Sequence, residues 1–196
     1  MLTILYQDEC FVAVDKPAGM LVHRTGLDAG ETQFVLQTLR DQLGASVWPL
    51  HRLDKGTSGV LLFALSAEAA QAGQLALMAS ETQKQYAAIV RGWPAAQGRI
   101  DHPLRRMPDD MRHERLEVQS ALTLYATQAT FSVPLPYGAF EQTRLAWVQA
   151  WPQTGRRHQL RRHFKHIAHP IIGDATHGKG PLNRDVAQWL GHPRLW

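Results

Sequence analysis

The residues best suited to chemistry lie in His51-Arg52-Leu53-Asp54-Lys55-Gly56-Thr57-Ser58-Gly59, set directly before the apolar run Val60-Leu61-Leu62-Phe63-Ala64-Leu65. Gly56, Thr57, Ser58 and Gly59 permit a tight bend. The run after them has the length of a strand buried on both faces. Asp54 therefore falls on a loop at the mouth of a core strand, where a rigid scaffold can hold a reactive carboxylate. The same residues also allow a local role, with Asp54 capping the turn and pairing with Arg52 or Lys55.

A second stretch offers cations. Between Glu141 and Asp174 there is no acidic residue, while Arg144, Arg156, Arg157, Arg161, Arg162 and Lys165 all fall there. Such asymmetry is the electrostatic footprint of a polyanion partner, nucleic acid above all. A solvated basic helix face is the plainer alternative. Residues 154–167 carry the most regular helical pattern in the chain. Leu160, Phe164 and Ile167 fall on one stripe that packs the helix on a sheet. Arg157, Arg161 and Lys165 recur four apart along one flank. Arg161 then points partly toward a pocket and Arg162 outward. The expected helix start at Thr154-Gly155 would present backbone N–H groups to phosphate beside Arg156 and Arg157.

Other chemistries find less support. His158, His163, His166, His169 and His177 suggest zinc, yet no cysteine accompanies them and neither H-E-x-x-H nor C-x-x-C occurs, so no metal is expected. Gly173-Asp174-Ala175-Thr176-His177-Gly178-Lys179-Gly180 nearly spells a phosphate-binding loop but lacks the hydroxyl residue after the lysine. Ser58 has no G-x-S-x-G frame. Asp109-Asp110 reads as a solvated turn rather than a metal pair. What is left needs one carboxylate, a basic partner and an aromatic wall, which Asp54, Arg161 and Tyr86 can supply. Tyr86 as an ordinary core tyrosine stays open.

The elements that must position these groups follow from periodicity. Residues 3–6, 10–15, 60–65, 84–91, 118–133 and 143–151 read as strands. Residues 31–43, 67–79 and 154–167 read as helices, with Gly44 stopping the first and Ser66 capping the second. Residues 101–117 read as a polar surface excursion. With 196 residues, 44% hydrophobic and 19% charged, the composition is that of a soluble globular protein. The single Cys10 excludes an internal disulfide framework, and the sequence shows no signal peptide or membrane-spanning run. A cytoplasmic monomer is expected.

His51-Arg52-Leu53-Asp54 with Thr57-Ser58-Gly59 resembles the active-site motif of the RluA-type pseudouridine synthases. Lys84-Gln85-Tyr86 before Ala88-Ile89-Val90-Arg91-Gly92 resembles their second motif. Thr154-Gly155-Arg156-Arg157-His158-Gln159-Leu160-Arg161 with His169-Pro170-Ile171-Ile172-Gly173-Asp174 resembles their third. Asp15-Lys16-Pro17-Ala18-Gly19 with Val22-His23 is similar to the segment that precedes them. Four motifs in the same order over most of the chain are jointly specific. The opening Ile4-Leu5-Tyr6-Gln7-Asp8-Glu9 and Gln37-Thr38-Leu39-Arg40-Asp41-Gln42 look most like the branch that modifies uridine 65 of transfer RNA.

The resemblance implies a single α+β catalytic domain over 1–196, built on a mixed, mainly antiparallel sheet flanked by helices, without an S4-type domain. The chain ends at Arg194-Leu195-Trp196, so the family's C-terminal strands are expected to be absent or shortened. It implies isomerisation of a specific uridine in structured RNA, transfer RNA first, without a cofactor. Asp54 would be the catalytic carboxylate, Arg161 its partner, and Tyr86 the ring stacked on the uracil. Arg52 and Leu160 would complete the substrate site, with Arg156, Arg157, Arg162 and Lys165 on the RNA backbone. A ribosomal RNA substrate and a non-catalytic RNA-binding module are the rival readings.

Overall fold

A computed structural model describes residues 1–23, 32–79, 81–107, 117–192 and 195. The chain divides into two compact units, Met1–Gln83 and Lys84–Trp196.

The first unit holds β1 (Thr3–Gln7), β2 (Phe11–Lys16), α1 (Val35–Leu43), β3 (Trp48–Pro49), β4 (Gly59–Ala64) and α2 (Ala67–Met78). Its strands form one antiparallel sheet in the order β1-β2-β4-β3. Val12 lies opposite Phe63 and Val14 opposite Leu61, and all four are fully buried. Removing each such side chain from water contributes roughly 1.5–3 kcal/mol. The expectation that β4 is covered on both faces is corrected, because Val60 is 56% exposed. The face opposite Leu61 and Phe63 is covered only toward one end, where Ala13 and Ala64 are buried. The inward series Val12, Val14 continues to Lys16, which sits opposite Gly59 and is fully buried.

Helix α1 begins at Val35, not at Glu31, a residue outside those described. Its first N–H groups are satisfied by the preceding chain, Val35 N–H to Leu21 O and Leu36 N–H to Val22 O. Gly44 ends it as expected. Ser66 Oγ accepts from Ala69 N–H at 3.1 Å and starts α2.

The second unit holds β5 (Tyr86–Arg91), β6 (Gln97–Asp101), β7 (Leu104–Arg105), β8 (Val118–Gln119), β9 (Leu122–Val133), β10 (Thr143–Pro152), α3 (Gln159–His166) and α4 (Gly180–Leu190). Its main sheet has the order β5-β10-β9-β6, with β7-β8 a separate ribbon. Phe164 of α3 packs into a cluster with Ala88, Val90, Ala146, Val148 and Ala150, and Leu160 and Ile167 border it as the helical stripe predicts. Leu145, the neighbour of Ala146 in the strand, joins Val133, Ile172 and the α4 residues Leu182 and Val186. Successive residues of a strand point to opposite faces, so α3 and α4 cover opposite sides of this sheet.

The expected α+β architecture with a mainly antiparallel sheet is what the structure has: among the described residues every named strand pair is antiparallel, and the isolated bridge Leu21↔Phe34 is parallel. Several expectations are corrected. The expected surface excursion over 101–117 begins inside the fold: Asp101 ends β6, Leu104–Arg105 form β7, and Leu104 is only 3% exposed. Residues 108–116, including Asp109-Asp110, lie outside the described residues. The strand expected over 118–133 is interrupted between β8 and β9. Helix α4 was not anticipated, and α3 is shorter than residues 154–167. No described helix is long and apolar enough to cross a membrane.

Candidate active site

In the first unit the Asp54 loop is built from backbone bonds. Thr57 N–H donates to Asp54 O at 3.0 Å, closing the turn that the Gly56-Thr57 sequence predicts. Upstream, Leu62 N–H donates to His51 Nε2 at 3.2 Å. The next carbonyl, Lys55 O, accepts from Gly19 N–H at 2.8 Å and from Lys16 Nζ at 3.2 Å. Lys16 Nζ also donates to Pro17 O at 2.8 Å. Gly19 has φ +87°, a left-handed conformation that a side chain would strain. The Lys16-Pro17-Ala18-Gly19 segment therefore clamps the residue that follows Asp54.

Lys16 adjoins the Asp54 loop, a placement that the sequence reading did not assign it. Burial pushes its ammonium down from 10.5 to about 8, and the negative charge of Asp54 acts in the opposite direction. Asp54 thus has a buried cation within its electrostatic reach. The signal was present in the sequence: a lysine at the inward position of an alternating strand must bring its charge into the core. Arg52 is exposed, and Asp54 is half-buried.

In the second unit, Arg161 is held by Asp174. Arg161 Nε donates to Asp174 Oδ2 at 2.9 Å and Nη2 to Oδ1 at 2.8 Å. The arginine side chain is 13% exposed and the carboxylate fully buried. Asp174 Oδ1 also accepts the N–H groups of Thr176 and His177, each at 2.9 Å. Burial raises the Asp174 carboxyl, but the Arg161 hydrogen bonds, the two N–H donors and the Arg161 charge outweigh it and hold it below the ordinary range. The Asp174 carbonyl accepts from Gly178 N–H at 3.0 Å and from Asn183 Nδ2 of α4 at 2.9 Å.

Gln159 fixes the start of α3. Its Nε2 donates to Leu122 O and Thr123 Oγ1, both at 3.0 Å. Its Oε1 accepts from Thr154 Oγ1 at 2.7 Å and Arg156 N–H at 3.0 Å. This corrects the expected phosphate site at Thr154-Gly155. The helix begins five residues later, behind His158 at φ +54°, and the Arg156 N–H is engaged by Gln159.

The remaining expected residues are distributed along the same unit. Tyr86 opens β5 opposite Ala150 and shares the sheet face that α3 covers. Leu160 borders the core beneath it. Arg156 Nε donates to Ser120 O at 3.1 Å. Arg157 and Arg162 are half-buried, Lys165 is exposed, and burial lowers the Arg162 guanidinium below its ordinary value. The histidines serve the fold. His163 is fully buried between Thr123 Oγ1 and His102 O, at 2.9 and 3.0 Å. His166 stacks on His102 at 3.7 Å, and His158 Nδ1 meets His177 Nε2 at 3.1 Å. Among the described residues no three potential ligands converge as a metal site.

Comparison with known proteins gives one answer. The RNA pseudouridylate synthase family matches residues 10–166. The chain is 51% identical to tRNA pseudouridine synthase C of Vibrio vulnificus, over all of this chain and 81% of that one. It is 49% identical to tRNA pseudouridine synthase C of Pasteurella multocida, over 99% of this chain and 82% of that one. The solved structure of human RNA pseudouridylate synthase domain containing 4 aligns with a TM-score of 0.69 at 28% identity, covering 97% of this chain and 76% of that one. With the segments of Asp54, Tyr86 and Arg161 inside the matched span and about half its residues shared with such relatives, this chain belongs to the RNA pseudouridylate synthase family.

Proposed function

We propose that this protein converts a uridine of transfer RNA, position 65 by the resemblance of its motifs, to pseudouridine, with Asp54 as the reacting carboxylate. The observation that carries the reading is the identity of about one half, along the whole chain, with relatives named tRNA pseudouridine synthase C. The reaction is an isomerisation: the N1–C1′ bond breaks, the uracil turns, and C5 joins C1′. The proton lost from C5 is balanced by one gained at N1, so no co-reactant is needed.

The uridine must leave the base stack before any carboxylate can reach it, and unstacking costs a few kcal/mol. Stacking on Tyr86 returns about 1–3 kcal/mol. Phosphate contacts from Arg156, Arg157, Arg162 and Lys165 supply the rest, in a salt-dependent way. Arg52 holds the extruded nucleotide and Leu160 lines its apolar side. In this reading Arg161 supplies the cation of the substrate site. The clamp on Lys55 supports this reading, because a reacting group must be held within a fraction of an ångström of its target.

The test is to incubate the protein with a transfer RNA transcript and a ribosomal RNA fragment, then map pseudouridine. Modification of the transfer RNA alone, abolished by Asp54→Asn with RNA binding retained, is the expected result. Binding without modification, or turnover by Asp54→Asn, overturns it.

A further inference from the structure

We infer that Asp174 is a positioning residue for the reaction, acting by fixing the plane and direction of the Arg161 guanidinium. The inference rests on the reading of Arg161 as a site residue. An arginine side chain has many rotamers, and a cation that serves a reacting carboxylate is useful only in one of them. A guanidinium is a planar fork with five N–H donors. Asp174 takes the Nε and Nη2 edge through both of its oxygens, at 2.9 and 2.8 Å. Two parallel bonds fix an orientation that one bond cannot. They also set the direction of the three N–H bonds that Asp174 does not use.

The abutment is itself immobile. The Asp174 side chain is fully buried. Its Oδ1 receives two further N–H groups from the turn at Thr176 and His177. Its carbonyl is held by Gly178 and by Asn183, whose Oδ1 in turn accepts Gly173 N–H at 3.0 Å. A Cβ on Gly178 would run into the Asp174 carbonyl, so the turn is wrapped as closely as a backbone allows. A carboxylate needed only to neutralise a buried arginine would not require this second layer of donors. The same turn carries His177 to His158, the residue that precedes α3, so the helix bearing Arg161 is braced from this side as well.

The experiment is a double-mutant cycle on the full chain with a transfer RNA transcript: wild type, Arg161→Ala, Asp174→Asn and the double variant, with thermal melting of each. Asp174→Asn keeps the size and one acceptor but loses the charge and the paired geometry. Its kcat is expected to fall on the order of 100-fold while KM changes less than about threefold, because orientation is spent in the transition state. The double variant is expected to be no slower than Arg161→Ala alone, since Asp174 acts through that arginine. A kcat for Asp174→Asn within about twofold of wild type, or independent losses that multiply in the double variant, overturns the inference.

Should Asp174→Asn fail to fold, Arg161→Lys decides the matter. It keeps a positive charge but not the fork, and is expected to lose most of its turnover. Full activity in Arg161→Lys refutes the need for a fixed plane. Unchanged turnover in Arg161→Ala removes Arg161 from the site, a failure of the functional reading that is distinct from loss in Arg161→Ala without loss in Asp174→Asn.

Discussion

Replacing Lys16 by methionine removes a fully buried ammonium while keeping an unbranched side chain of similar length. Two effects of opposite sign compete. The wild-type ammonium falls from 10.5 to about 8 in the folded state, and that drop of about 2.5 corresponds to about 3 kcal/mol of disfavoured charge. Methionine relieves that cost. It also strips the Nζ donor from Pro17 O and Lys55 O, and a buried carbonyl left short costs about 1–3 kcal/mol. Near neutral pH the two nearly cancel, so stability alone does not separate the variants there.

Their pH dependence does. The unfolded chain keeps the lysine proton up to its ordinary value, whereas the folded one releases it near 8. Folding therefore expels a proton between those values, and wild-type stability rises with pH across that window. From about pH 7 to about pH 9.5 the gain is about 2 kcal/mol. Lys16→Met lacks this group and so lacks the gain. Urea unfolding at both pH values measures the difference between the two proteins, which cancels the other titrating residues. Parallel stability curves would refute the account of Lys16 as a charged group held in the core. Turnover is expected to fall as well, because Lys55 O then loses its Lys16 Nζ donor and the Asp54 loop loosens.

Two further substitutions probe the other unit. Gln159→Ala leaves Leu122 O and Arg156 N–H without their side-chain partner, and should lower the unfolding free energy by about 3 kcal/mol, read from the urea midpoint. A loss below about 0.5 kcal/mol would show that water replaces the amide. Gly178→Ala drives a Cβ into the Asp174 carbonyl and within 2.8 Å of Asn183 Nδ2. It should destabilise by about 1–3 kcal/mol and reduce turnover together, whereas wild-type behaviour in both would show that the turn yields freely.

Much of this fold was readable in the sequence because its central strands and helices carry apolar patterns of the right length or spacing. Residues 11–14 and 145–148 are short apolar runs of strand length, and Leu160, Phe164 and Ile167 recur at helical spacing. β6 was not readable: Gln97-Gly98-Arg99-Ile100-Asp101 has weak strand propensity and exists because β9 offers a long partner edge. α4 opens with Gly180-Pro181, a pair that marks a turn as readily as a helix start. The true start of α3 depends on a left-handed His158, a conformation that residue type does not announce. The motifs single out Asp54 and Arg161 but not the groups that hold their segments. Lys16 and Asp174 act through partners 39 and 13 residues away in sequence, a separation that local patterns do not encode.

Gln159 engages strand β9 and the chain entering α3 through its one amide group. Its neighbour two residues on is Arg161, so the angular setting of that cation is inherited from a pin rather than from the helix as a whole. Inserting a single residue between 159 and 161 would swing the guanidinium by about 100° around the axis while leaving the helix intact. The two-residue spacing between Gln159 and Arg161 is therefore fixed by the sheet as well as by the helix.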